Sequence, residues 1–154
     1  MLKIIRDCWA KNQDKLREAI AKLPDDEIDE LNYEKLVIMA FGNIFESGTT
    51  ELNLTDIHVI DDGEYQGTFI FLIPFDLYQP CCDDYLMTYV DYGSCSGCDT
   101  LQAIQAELSC YGEHRETVNN DLFKVCLDIL RNTIKPYNFG WRHDDDFEQI
   151  ETED

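Results

Sequence analysis

The sequence lacks any long apolar run and is poor in basic side chains. Its longest apolar stretch, residues 68–75, falls well short of the about 18–20 residues that a membrane-spanning helix needs. Charges are spread through the N-terminal stretch and no small-residue cleavage site follows, so we expect no signal peptide. The 154 residues include 32 acidic and only 12 basic ones, a net charge of −20. Such a charge repels nucleic acid and anionic membranes, and we therefore expect the protein to contact neither.

Signals of several common catalytic sites are also missing. The three histidines, His58, His114 and His143, form no HxxxH pair and no Ser/His/Asp order. No glycine-rich loop is followed by a lysine, and the acidic turn at residues 61–64 lacks the spacing of a calcium loop. We therefore do not predict an enzyme of these classes.

The chain contains seven cysteines, an odd number that argues against a fully paired disulfide framework. Without a signal peptide, this content indicates a reducing compartment in which thiols stay free or bind metal. We predict a cytoplasmic protein.

Hydrophobic periodicity predicts an α+β fold, because helical spacing recurs at both ends of the chain and strand-like runs lie between them. Asn32 and Asp99 are expected to be helix N-caps, and residues 24–30 a charged connection. The order is ααβββαα, a hairpin plus a third strand forming a small antiparallel three-stranded sheet packed with four helices. We assign residues 1–141 to one domain and 142–154 to an acidic tail. The predicted helices are 3–23, 33–46, 99–109 and 120–135, and the strands 52–60, 65–75 and 85–92.

The segment YGSCSGCD, residues 92–99, places two cysteines between the third strand and the third helix. With Cys110 and His114, Cys95 and Cys98 have the spacing of zinc ligands. However, a helix over 99–109 separates Cys98 from Cys110 by roughly 18 Å, whereas ligands of one zinc lie within about 4 Å of each other. The strand over 85–92 likewise separates Cys81 and Cys82 from Cys95 and Cys98, by roughly 20 Å at about 3.3 Å per residue. Zinc at Cys95 and Cys98 is therefore an alternative that we do not favour, and we expect no cofactor.

Three interpretations of this segment remain. One is an anion-binding turn, because backbone N–H groups converge at the start of the helix, although so acidic a protein would repel a nucleotide phosphate. A CxxC at a helix start is where thioredoxin-like proteins keep their redox pair, but this chain has no suitably placed proline and no alternating βαβ units. The favoured interpretation is a structural turn in which Cys95 or Cys98 packs as a small apolar side chain and Gly97 needs a φ that other residues resist. The turn residues are Gly93, Cys95, Gly97, Cys98 and Asp99.

The stretch YGSCSGCDTLQAI resembles a motif in small uncharacterised proteins encoded by tailed bacteriophages and prophages. The resemblance covers about a dozen residues and the helix after them. It implies a phage gene product acting in the cytoplasm of a bacterial host. It brings no known activity and no catalytic residues.

Charge and context together predict an acidic binding or inhibitor protein, of the anti-CRISPR or anti-restriction type, that imitates DNA. The predicted partner is a basic protein such as a bacterial nuclease or another nucleic-acid-binding protein. The alternative is a thiol- or zinc-dependent protein centred on Cys95 and Cys98. The acids predicted to contact the partner are Asp25, Asp26, Glu27, Asp29, Glu30, Asp83, Asp84, Asp144, Asp145 and Asp146.

Overall fold

A computed structural model describes residues 1–45, 51–111 and 114–135. It confirms the α+β fold with an antiparallel three-stranded sheet between groups of helices. None of the described helices combines the length and apolarity needed to cross a membrane. In chain order the elements are α1 (Lys3–Ala21), α2 (Asp25–Asp29), α3 (Tyr33–Ile44), β1 (His58–Asp61), β2 (Gly67–Pro74), β3 (Tyr85–Tyr92), α4 (Thr100–Tyr111) and α5 (Arg115–Arg131).

The core lies between the helices and one face of the sheet. Helix α3 is central and packs against both α1 and α5. Its N-cap is Asn32, as predicted, whose side chain accepts a hydrogen bond from the Lys35 N–H at 2.8 Å. The buried amide of Asn12 on α1 donates to the Ile44 carbonyl at 2.8 Å. This bond satisfies a carbonyl at the C-terminus of α3, where intrahelical partners run out.

The sheet has the order β1-β2-β3 with antiparallel pairing throughout. Because side chains alternate along a strand, Phe71, Ile73 and Leu86 point to the helices and are buried. The Thr88 hydroxyl on the same face donates to the Ile129 carbonyl of α5 at 2.6 Å. The free edge of β3 forms an isolated antiparallel bridge between Met87 and Ile134.

Three details of the predicted fold were wrong. Helix α5 runs from Arg115 to Arg131, so it begins five residues before the predicted start at 120 and ends before the predicted end at 135. The connection after Pro24 contains the short helix α2, so the described residues form five helices rather than four. Its acidic first turn favours a helix N-terminus, and Ile28, which is fully buried, fixes it to the core. The first strand begins only at His58, while Leu52 forms an isolated bridge with Phe75. The predicted domain boundary at 141 lies outside the described residues.

Candidate functional site

The segment that follows β3 folds into a tight turn and leads directly into α4. The backbone N–H groups of Cys98 and Asp99 both donate to the Cys95 carbonyl, at 3.0 and 2.8 Å. Gly93 is buried beneath this turn. A Cβ atom on Gly93 would lie 2.5 Å from the Cys98 carbonyl oxygen and 2.7 Å from the Cys98 Sγ. A side chain larger than hydrogen therefore does not fit there.

The buried carboxylate of Asp99 organises the turn and the start of α4. Its Oδ1 accepts the Gln102 N–H at 2.8 Å, which makes Asp99 the N-cap that the sequence predicts. Its Oδ2 accepts the Gly93 N–H at 3.0 Å, and the Tyr33 hydroxyl donates to Oδ1 at 3.2 Å. The same hydroxyl accepts the Leu101 N–H at 3.2 Å. Asp99 thus joins both ends of the turn to α3.

Tyr33 is a site residue that the sequence does not reveal. Burial, together with the charge of Asp99, raises the pKa of its phenol to about 12, so the hydroxyl stays protonated and remains a donor. Its place in the helical pattern of α3 indicates only a core position. No local pattern links residue 33 to a residue 66 positions later.

The two thiols of the turn are exposed and face each other. Their Sγ atoms are 3.3 Å apart, and the Ser94 hydroxyl lies 3.7 Å from the Cys98 Sγ. Hydrogen bonding to the thiol and backbone of Cys95, and then to Ser94, lowers the pKa of the Cys98 thiol below its ordinary value. The position ahead of α4 adds to this effect, because a helix N-terminus stabilises a thiolate.

The expectation that one of these cysteines packs as a buried apolar side chain was wrong. Cys126 on α5 has that role instead: it is fully buried, and burial raises the pKa of its thiol to about 12. The expectation about Gly97 was also wrong. Its φ lies outside the left-handed region, and the nearest atom to an added Cβ is the Cys95 Sγ at 3.7 Å. Gly93 is the glycine on which the turn depends.

A pocket of about 390 Å³ adjoins the turn. Gly93 and Asp99 belong both to the turn and to the pocket wall. The rest of the wall is largely aromatic and aliphatic, and two of its rings, Phe69 and Tyr92, stack with centroids 4.3 Å apart. Its apolar side chains are Leu31, Tyr33, Val59, Phe69, Phe71, Tyr92 and Leu101. Such a wall suits an uncharged apolar group, although neither Cys95 nor Cys98 belongs to it.

The zinc alternative receives no third ligand from the described residues. Helix α4 is unbroken from Thr100 to Tyr111, so Cys98 and Cys110 stand at opposite ends of it. Within the described ranges, one cluster has three possible ligand atoms within 4.8 Å of one another. It comprises Cys81, Asp83 and Asp84. The Cys81 N–H donates to Asp84 Oδ2 at 2.9 Å, and the Asp84 N–H returns a bond to the Cys81 carbonyl. These two hydrogen bonds close a turn, and the turn explains why the three side chains lie close together.

The predicted partner-binding acids divide into two groups among the described residues. The α2 acidic segment, defined as Asp25, Asp26, Glu27, Asp29 and Glu30, is exposed throughout. Asp84 is 3% exposed, which corrects its assignment to a contact surface, and Asp83 is half-buried. Asp84 turns inward because its carboxylate accepts a backbone N–H. Asp144, Asp145 and Asp146, with the rest of the predicted tail, lie outside the described residues.

Comparison of the chain with protein-family models, with curated proteins and with solved structures finds no match.

Proposed function

We propose that Cys95 and Cys98 form a reactive dithiol that reduces a disulfide in a substrate. The observation that carries this proposal is the separation of 3.3 Å between two exposed Sγ atoms at the start of α4. A disulfide needs its sulfurs about 2.0 Å apart, so a small rotation of the two side chains closes the bond.

The exchange proceeds in two balanced steps. The Cys98 thiolate attacks one sulfur of the substrate disulfide, and the other substrate sulfur leaves as a thiolate that takes up a proton. Cys95 then gives its proton to solvent and attacks the Cys98 sulfur, which releases the second substrate thiol. Two electrons pass to the substrate, and the protein is left with a Cys95–Cys98 disulfide. Two molecules of a small thiol such as glutathione then reduce this disulfide by the same exchange, which restores the dithiol and yields oxidised glutathione.

Cys98 is the attacking residue because its pKa is lowered, and the thiolate is the nucleophilic form. The pocket supports the proposal because it shares Gly93 and Asp99 with the turn and can hold an apolar group of the substrate. Asp99 and Gly93 hold the turn in position but do not take part in the exchange.

The test uses oxidised glutathione as the probe and follows the products by mass spectrometry. The unchanged protein is expected to form one internal disulfide. The Cys95→Ser variant is expected to stop at a mixed disulfide on Cys98, and Cys98→Ser to react at least about tenfold more slowly. The matched control is Cys81→Ser with Cys82→Ser, which removes the other exposed pair and should leave the reaction unchanged.

Equal rates for the unchanged protein and Cys98→Ser would reject the proposal. Metal analysis of the same preparation addresses the zinc alternative. Zinc bound in equal amount to the chain, and lost on replacing either Cys95 or Cys98, would favour a metal site over a reactive dithiol.

A second candidate function, that of an acidic binding protein for a basic, nucleic-acid-handling partner, is favoured by the α2 acidic segment. Its carboxylates are exposed, yet the segment is held in place. The Gln105 side chain donates to the carbonyls of Ile28 and Leu31, each at 3.0 Å. Arg115 bonds to the Leu23 carbonyl and forms an ion pair with Asp25. A fixed row of like charges steers an oppositely charged partner and, if that partner binds nucleic acid, imitates phosphates.

Neutralising this segment should slow association with such a partner. Asp26→Asn combined with Asp29→Asn leaves the Asp25–Arg115 pair intact. We expect a lower association rate at low salt and a smaller difference at high salt, because the Debye length falls from about 10 Å at 0.1 M to about 3 Å at 1 M. The measurement is surface plasmon resonance with a partner captured from bacterial lysate at low salt.

The matched control neutralises two exposed acids on α1, Asp14→Asn and Glu18→Gln. It removes the same charge at a different place. If both variants slow association equally, net charge alone is responsible and the α2 acidic segment is not a contact surface.

A further inference from the structure

The face of the sheet that points away from the helices is apolar. Alternation along the strands and the pairing register place Ile60, Ile70 and Tyr89 in one row across it. Leu72 and Met87 form part of the next row. We call these five residues the outer sheet face. Ile60 and Tyr89 are 48% and 42% exposed.

This face is separate from the core. None of its five side chains belongs to the buried core cluster or to the partly buried side chains packed against it. Their neighbours along the strands, such as Phe71 and Ile73, fill the core on the opposite side. Ile70, Leu72 and Met87 are half-buried, and with the exposed Ile60 and Tyr89 they form an apolar surface of the kind found at interaction sites.

The charge around the face indicates what it binds. Lysine and arginine are absent from the three strands and the connections between them, although Lys135 follows Ile134, which bridges Met87 at the edge of β3. Asp91 is in the row next to Ile70 and Tyr89, where its carboxylate accepts the Thr68 hydroxyl at 2.7 Å. Asp62 and Glu64 lie exposed in the connection between β1 and β2 at the same end of the sheet. At this end of the sheet, an apolar face bordered by carboxylates complements a segment that is both apolar and basic.

We propose that the outer sheet face binds an amphipathic basic helix of a partner protein, with its apolar side chains on the five residues and its lysines or arginines on the surrounding carboxylates. The proposal rests on the second candidate function, a basic partner, and adds a second contact surface to the α2 acidic segment. A second copy of this chain is a poor occupant because each copy carries a net charge of −20.

The test titrates the full chain with three synthetic helical peptides and follows fluorescence anisotropy. The first has leucine on one face and lysine on the other, the second replaces its lysines by glutamates, and the third replaces its leucines by serines. We expect saturable binding of the first peptide, weakened by salt, and much weaker binding of the others. Ile60→Ser with Tyr89→Ser should lower the affinity for the first peptide by about tenfold or more.

The matched control is Leu77→Ser with Tyr78→Ser, which removes two exposed apolar side chains outside the sheet, 44% and 99% exposed, and should leave the affinity unchanged. Absence of saturable binding, equal binding of the glutamate peptide, or an equal loss in both variants would overturn the proposal. Two further results would overturn it, because each would show that another occupant covers the face. One is self-association of the chain that the Ile60/Tyr89 variant abolishes, and the other is peptide binding that is seen only after truncation at Lys135. The peptide affinity could prove independent of Ile60 and Tyr89 while association with a captured partner still depends on Asp26 and Asp29. The basic-partner function would then stand, but the outer sheet face would not be part of it.

Discussion

Replacing Gly93 with alanine is expected to destabilise the protein by about 2–3 kcal/mol and to slow formation of the Cys95–Cys98 disulfide. The added Cβ would lie 2.5 and 2.6 Å from the carbonyl oxygen and carbon of Cys98, which are backbone atoms and cannot rotate away. The turn must move as a unit, and the Cys98 Sγ moves with it. Thermal denaturation should show a midpoint lower by about 4–12 °C for a chain of this length.

Gly97→Ala is the matched control, since the same methyl group is added four residues later in the same turn. Its Cβ meets only the Cys95 Sγ, at an ordinary contact distance of 3.7 Å. We expect a change within about 0.5 kcal/mol and an unchanged disulfide. A Gly93→Ala protein as stable as Gly97→Ala would show that the close approach of Gly93 to Cys98 does not exist in solution.

Removing the Asp99 carboxylate should have a comparably large effect, with a loss of about 2–4 kcal/mol for Asp99→Ala. The loss of an N-cap costs about 1 kcal/mol, and buried donors left without an acceptor cost about 1–3 kcal/mol more. The donors are the Gly93 N–H and the Tyr33 hydroxyl. Chemical denaturation gives the free energy of unfolding directly.

Two variants separate these contributions. Asn32→Ala removes the N-cap of α3, which is exposed and makes a single cap bond, and should cost about 1 kcal/mol. Asp99→Ser restores an acceptor for the Gln102 N–H but is too short to bond Gly93 as well, so it should recover only the capping part. If Asp99→Ala costs no more than Asn32→Ala, the buried bonds to Gly93 and Tyr33 contribute little.

The sequence was a sound guide to whatever depends on local pattern. Both predicted N-caps, Asn32 and Asp99, were confirmed, and β3 has the predicted limits of 85 and 92. The α+β fold was confirmed as well, because alternation and helical spacing report directly which face of an element is buried. The charge-rich residues 25–29 were not recognised as a helix, since its single apolar anchor, Ile28, produces no periodic signal.

The site was less predictable because it depends on contacts between distant residues. The spacing of Cys95 and Cys98 shows that they are near each other but not that both remain exposed, and the packed role predicted for one of them belongs to Cys126. The pattern predicts the demanding backbone position at Gly97, whereas the close contact is at Gly93. That contact arises where β3 ends over the start of α4, and no short stretch of sequence records the distance between them.

The sheet presents an open edge at β1, whose four residues are all exposed, beside an apolar face. Open edges and apolar faces favour sheet-to-sheet aggregation unless like charges keep the molecules apart. Here the carboxylates supply that repulsion, so they govern colloidal stability. The repulsion disappears as the pH approaches the isoelectric point of about 4.2. Solubility should therefore be lowest in mildly acidic buffer, and a partner that neutralises the carboxylates must also cover the apolar face if the complex is to stay dispersed.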